Sequence, residues 1–523
     1  MGGDRVVAHG GVADPQPAAT TTIDLGGAHV LPGFCDPHSH LSVGAWLPAV
    51  GDGRPWRSLE EALAAVRTAA VTAPPGGWLV FGRVNAERWP GSRLPSAAAL
   101  DAASGGRPVL LVDVTLHRGA LSTEGLRRCA VTRSAPDPLG DVERGRRGEP
   151  TGIVWEQAFG RALDTALRAL ASDVGETGTD GLLDRAATEH LRFGLTRVHE
   201  PGVPPDVHVR LAALAARTPL RLSWSASAAT GLLEPPPLPD ALPPGPYGEG
   251  PVSAKLFLDG AHRCALCLPP AAVLASLGAA VRAALVAGDV VPLRTLASQR
   301  VRLAGRHLHV AWGRFDDRAL HARVGAYAGA GVALRVHALG NLAVTQAARA
   351  LATVRPPHAT VEHVLAARRE DADLLAACAA TASTQPGFIP TYAPTMDALG
   401  LGNGGTVRPL PLRTLRDAGV PLAISSDHPC GPLDPLHNLR LAVTRHRPDG
   451  GAFVPSEAIT PLEAVHAATA QAAAAAGFAG EGVLVPGAPA DLVILTGDPF
   501  VDATVVTRTW VGGRQAWPVP DSP

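Results

Sequence analysis

Lysine is nearly missing from this sequence. Of its 46 lysine and arginine residues, Lys255 alone is lysine. Arginine serves wherever a cation is wanted, so a position that keeps lysine is expected to need something a guanidinium lacks: an amine that can lose its proton and react as a nucleophile. Cysteine is scarce too. Six cysteines in 523 residues exclude a disulfide framework. Cys264 and Cys267 have C-x-x-C spacing, but no second pair completes a zinc ribbon, and they read as buried thiols. No run reaches the roughly 18 apolar residues of a membrane span. Residues 1–5 carry no apolar signal core, so a cytoplasmic location is expected. A formal net charge of −1 gives no field to draw nucleic acid or an anionic membrane.

What is present is a long, apolar, regularly punctuated chain. Hydrophobic residues make up 46%, ample for a large core. The length exceeds the about 250 residues of one barrel. Residues 5–8, 22–25 and 29–31 read as short strands, as do 491–495 and 505–511, with Gly512-Gly513 as a turn. Strand-rich ends predict a small β-sandwich domain built from both termini, residues 1–33 with 478–523. Between them, β-type runs at 195–199, 220–225, 253–258, 333–337, 360–364, 382–385 and 422–426 alternate with Ala-rich helical segments. With the strand before His38 they number eight, which predicts an α/β fold, a (β/α)₈ TIM-like barrel over 34–477. Thr460-Pro461-Leu462-Glu463 has the pattern of a capping box, opening a helix expected to run to Gly477. Residues 42 to about 180, rich in Gly, Pro and Arg, break this rhythm. They form a large insertion after strand 1, the kind that builds a lid or pocket. Residues 233–251 read as a loop.

The sharpest chemical signal is Pro32-Gly33-Phe34-Cys35-Asp36-Pro37-His38-Ser39-His40. Residues i and i+2 of a strand share a face, so His38 and His40 are spaced to chelate one metal. Alone, H-x-H is weak. Further candidates stand at successive strand ends: Lys255 before Asp259-Gly260, His337 before Ala338-Leu339-Gly340, His363 after Glu362, and Asp427 before His428-Pro429. The C-terminal strand ends of a barrel converge on its mouth, which brings all six toward one cavity.

With these residues in place, the chain resembles the amidohydrolase superfamily, in the branch of N-substituted formamide deformylase-like proteins. The shared features are the PGF-x-D-x-H-x-H stretch, Lys255-Leu256-Phe257-Leu258-Asp259-Gly260, Val336-His337-Ala338-Leu339-Gly340, Glu362-His363, Gln385-Pro386, Ser426-Asp427-His428-Pro429 and the closing Pro486-Gly487-Ala488-Pro489-Ala490-Asp491-Leu492. The resemblance implies that His38 and His40 bind a buried metal with Asp427, and that His337 and His363 bind a second ion. It implies that Lys255 reacts with carbon dioxide to give a bridging carbamate. One or two divalent ions are therefore expected, and the N/O ligand set suits Zn²⁺. It also implies hydrolysis of a C–N amide-type bond in a small molecule, an N-substituted formamide or related amide, by metal-activated hydroxide. Asp427 would move the proton from water to the leaving nitrogen. An esterase, lactonase or cyclic-amide hydrolase on the same site is an alternative, as is a non-catalytic metal-binding protein. Homo-oligomerisation is left open.

Secondary candidates follow from the same comparison. His117 matches an Asp-Gly-His segment of the branch, with Thr115-Leu116 before it, and is read as contacting substrate or else as a hydrogen-bonded loop histidine. Arg263 contacts substrate or makes a surface ion pair. His307 and His309, in an Arg-rich stretch before Trp312, read as solvated. Asn341 stands where the branch has Asp, which touches outer support of the metals or substrate choice. His428 replaces a small residue and is expected to add an imidazole at the mouth. The N-terminal β segment is short for the branch: the small domain is reduced or the start lies upstream.

Overall fold

A computed structural model describes residues 1–11, 14, 19, 21–228, 231, 233–243, 247–261, 263–287, 301–310, 313–398, 400–401 and 405–519. Trp312 and part of the 233–251 loop lie outside them. The chain enters through β1 (His29–Pro32) and β2 (Phe34–Asp36), then departs into the insertion. There β3 (Gly51–Asp52), β4 (Leu79–Val84), β5 (Val109–Asp113), β6 (Arg118–Leu121), β7 (Val142–Arg144) and β8 (Pro150–Trp155) form one six-stranded sheet in the order β3-β4-β5-β6-β8-β7. A long helix, Glu156–Arg192, kinked at Gly175, leads back. The barrel resumes with β9 (Leu195–Val203), β10 (Arg221–Ala226) and β11 (Ser253–Phe257). An excursion follows, in which β12 (Leu266–Leu268), β13 (Val301–Ala304) and β14 (His307–Val310) pair as a three-stranded sheet. Then come β15 (Ala333–Ala338), β16 (Ala359–His363), a short β17 (Ala366–Ala367), β18 (Thr381–Thr384), β19 (Arg408–Pro409) and β20 (Leu422–Ile424).

The eight-stranded sheet runs β2-β9-β10-β11-β15-β16-β18-β20, every neighbour parallel. Asp427 N donates to His38 O at 2.8 Å and His40 N to His428 O at 2.7 Å, which draws the last strand's end to the first's. Asp36 reinforces the seam by accepting Ser426 N at 3.1 Å and the Ser426 hydroxyl. The strands are buried on both faces, as parallel strands under a helical layer are, although charged residues such as Arg197, Lys255, Arg335 and Glu362 interrupt their apolar runs. The covering helices pack by one stripe: Val344, Ala347, Ala348 and Leu351 of Asn341–Val354 are buried at helical spacing.

Three expectations need correction. The small terminal domain is a single four-stranded antiparallel sheet, β1-β21-β22-β23, with β21 (Leu492–Leu495), β22 (Val506–Val511) and β23 (Arg514–Trp517). Among the described residues no second sheet faces it, so they form one sheet and no sandwich. Residues 22–25 make no strand, and Arg5 makes only bridges, to Gly2 and Pro489. Propensity without a partner strand leaves the backbone to water. The late Ala-rich run is two helices, Pro461–Ala468 and Ala470–Ala475, broken at Thr469. The Thr460 capping box is present.

Candidate active site

Local backbone geometry carries each chemical side chain to the barrel mouth. His38 and His40 lie just beyond β2 rather than on it, and their rings stand 5.3 Å apart. Lys255 is central in β11, His337 is near the end of β15, and His363 ends β16. Asp427 follows β20. His363 and Asp427 hold φ of 73° and 51°. Left-handed backbone at a non-glycine costs about 1–3 kcal/mol and persists where surroundings impose it. Here it turns both side chains inward.

The six residues do meet. His38 and His363 rings are 4.8 Å apart and His337 and His363 rings 4.5 Å. Asp427 Oδ1 lies 3.2 Å from His38 Nε2 and 3.4 Å from His40 Nε2, and Asp427 Oδ2 lies 3.9 Å from His363 Nδ1. Ligand atoms of His38, His363 and Asp427 fall within 4.8 Å of one another. Lys255 is 1% exposed and its Nζ contacts Glu362 Oε2, which also meets His38 Nδ1. Glu362 thus joins lysine to histidine, a part that sequence reasoning missed although the Glu-His pair was in view.

Burial sets the protonation. It drives the His337 imidazole well below its usual range, lowers His40 and takes His363 to about 3. The Lys255 amine is lowered by burial against the opposing pull of Glu362. Burial raises the Asp427 carboxyl, but His38 and His40 outweigh it and hold the group well below its usual range. Neutral His40, His337 and His363 and an ionised Asp427 therefore face one another with lone pairs on both sides, whereas burial of His38 is outweighed by Glu362 and Asp427, which raise it. His40 Nδ1, His337 Nε2 and Asp427 Oδ1 are buried without an aligned hydrogen bond. That pattern fits a cation, which turns mutual repulsion into shared coordination.

Neighbouring residues brace the set. Gln385 Oε1 lies 3.1 Å from His363 Nδ1, and Gln385 Nε2 donates to Ser425. Asp259 accepts the backbone N–H groups of Ala265, Leu339 and Gly340. Asn341 does not face the cluster: it exchanges two hydrogen bonds with the backbone of Cys267 and pins β12. His428 is turned away as well. Its ring packs edge-on to His190 at 6.1 Å and crowds Gly44, so it adds no imidazole to the cluster.

A cleft opens above the cluster, lined by His117, His337, His363 and Asp427 and by apolar side chains including Phe388 and Met396. His117 arrives from the insertion, in the turn between β5 and β6. Arg263 is not brought to the cleft wall: its guanidinium donates to Asp141 Oδ1 at 2.7 Å and Gly140 O at 2.6 Å. His307 and His309 sit on β14, away from the cluster. Cys264 and Cys267 are free thiols. Among the described residues no helix is long and apolar enough to cross a membrane.

A parallel barrel with this histidine and aspartate cluster at its mouth defines a metal-dependent hydrolase. The model of the amidohydrolase family matches residues 21–516, and the chain belongs to that family. It is 25% identical over 538 residues to N-substituted formamide deformylase of Arthrobacter pascens, covering 98% of this chain and 93% of that protein. It is 26% identical over 507 residues to putative amidohydrolase YtcJ of Bacillus subtilis, covering 92% and 86%. In fold it is similar to a metal-dependent hydrolase from Pyrococcus horikoshii OT3, with a TM-score of 0.63 at 20% identity over 92% of this chain and 88% of that one.

Proposed function

We propose that this enzyme hydrolyses the C–N bond of a small amide, an N-substituted formamide or a close relative, with His38, His40, His337, His363, Asp427 and Lys255 holding one or two zinc ions. The convergence of these six side chains beneath the cleft carries the reading. The similarity to a deformylase supports the formamide at 25% identity.

Bound zinc would supply Lewis acidity and bring the pKa of a water toward about 7. The chain's own groups do the rest. His40, His337 and His363 stay neutral through burial and offer lone pairs. Asp427 stays ionised, so it can take a proton from the attacking water and pass it to the leaving nitrogen. A C–O bond forms, the C–N bond breaks, and amine and acid result. Lys255 has the chemistry for carbamate formation: a neutral amine adds to carbon dioxide, losing a proton that Glu362 is placed to accept. The same reading divides the chain into a terminal unit, 1–33 with 478–523, and a catalytic unit, 34–477. His117 contributes to the substrate side.

Metal analysis of the purified protein, run beside a formamide, amide and ester panel, tests this. Stoichiometric zinc with amide turnover is expected. Lys255→Arg is expected to lose metal and activity, because guanidinium cannot form the carbamate. Lys255→Ala is expected to regain part of its rate with added short carboxylates. Full metal and full rate in Lys255→Arg would overturn the lysine's assignment, and turnover of esters alone would overturn the amide.

A further inference from the structure

We propose that His117, aligned by Glu156 and Arg314, accepts a hydrogen bond from the N–H of the scissile amide, so that the enzyme takes N-monosubstituted amides and turns away N,N-disubstituted ones. This rests on the amide-hydrolase reading above and names a specificity within it.

Five separate stretches of chain build the arrangement. His117 Nδ1 lies 2.7 Å from Glu156 Oε2, and Arg314 Nη2 reaches the same oxygen. Glu156 N donates to His117 O at 2.8 Å, and Arg314 is tied down by Leu233 O at 3.0 Å. Glu156 holds a φ of 44°, directly after β8. Gly260 makes the space: a Cβ there would stand 2.0 Å from Glu156 Oε1. The three side chains are only 9%, 3% and 9% exposed. So much construction places a carboxylate behind one ring nitrogen of a histidine that lines the cleft 5.1 Å from His337.

The consequence is a fixed tautomer. Glu156 is an acceptor, so His117 Nδ1 carries the proton. Nε2 then keeps its lone pair and is the nitrogen left for the cleft. An amide carbonyl oxygen cannot donate to that lone pair. A secondary amide's N–H can, and a tertiary amide has none.

The test compares zinc-loaded enzyme on matched N-alkylformamides and N-methyl-N-alkylformamides. Wild type is expected to favour the first by roughly ten- to a hundredfold in kcat/KM, the effect of leaving one buried acceptor unpaired. His117→Ala is expected to erase the preference. Glu156→Gln, whose amide can donate to Nδ1, is expected to erase it with metal content unchanged. ¹⁵N NMR of histidine-labelled protein, with His117 identified by its loss in His117→Ala, should show Nδ1 protonated and Nε2 bare, reversed in Glu156→Gln. Equal turnover of both classes, a preference surviving in His117→Ala, or an Nε2–H in wild type would overturn this proposal and leave the amidase reading standing. Turnover of neither class by zinc-loaded enzyme would sink both.

Discussion

The two walls of the catalytic cleft are built by different means. On the barrel wall, Lys255, His337 and His363 stand on parallel strands and His38, His40 and Asp427 just beyond strand ends, so the backbone places all six. On the insertion wall, His117 sits in a turn and is aimed by side chains: Glu156 from the end of β8 and Arg314 from beyond β14. Backbone placement is stiff and shared by every residue of a strand. Side-chain placement hangs on a few bonds, each removable by one substitution. The barrel wall is thus suited to chemistry that does not vary, and the insertion wall to choosing what is cleaved.

The sharpest way to break this contrast is to remove function from each wall in turn. Asp427→Asn keeps shape and removes the proton acceptor, so kcat is expected to fall on the order of 10²–10⁴-fold. The measurement is steady-state kinetics at matched zinc content, and a fall below tenfold would deny Asp427 its role. Glu362→Gln attacks the same wall beneath the surface. It strips the carboxylate shared by Lys255 and His38, leaving a buried amine without its partner. Loss of one partner of a buried pair typically costs about 3–5 kcal/mol, and denaturant unfolding of the zinc-free protein would read it.

Gly260→Ala probes the insertion wall from behind. The new methyl collides with the Glu156 carboxylate, which His117 and Arg314 prevent from swinging freely. A stability loss of about 1–3 kcal/mol is expected from the overpacking. Roughly tenfold lower kcat/KM on secondary amides, about one unpaired hydrogen bond, should accompany it. Zinc content should not move. If zinc is lost as well, the two walls are coupled and the contrast fails.

The same division explains what could be read from the chain. β-type runs alternating with helical segments, and motifs at the strand ends, announced the barrel and its six chemical residues, because strand geometry is local and the unit repeats. Glu362 was in plain view, but its bond to Lys255 spans 107 positions and has no local trace. Glu156 lies in no motif, and only its long-range partners give it meaning. His428 misled for a related reason: one residue beyond Asp427 the chain has turned, and the imidazole packs on His190. The runs at 5–8 and 22–25 misled, while those at 29–31, 491–495 and 505–511 did not, because strand propensity says nothing about whether a partner arrives.

Glu200 offers the finest probe, since it sits where the walls join. It belongs to β9 yet accepts the N–H and hydroxyl of Ser42, at the start of the insertion. Burial pushes its carboxyl up to about 7 against the bonds from Ser42. Its folded pKa thus lies above its unfolded value near 4.5, so the neutral acid favours folding. That contribution is complete below about pH 4.5 and is lost as pH rises through about 7. Glu200→Gln cannot ionise and should not share the loss. Relative to wild type, the variant's melting temperature is therefore expected to rise between pH 5 and pH 8.5, checked by thermal melts of zinc-free protein across that range. A difference that stays flat with pH would mean that Glu200 is ionised throughout, and that the seam is wetter than its packing indicates.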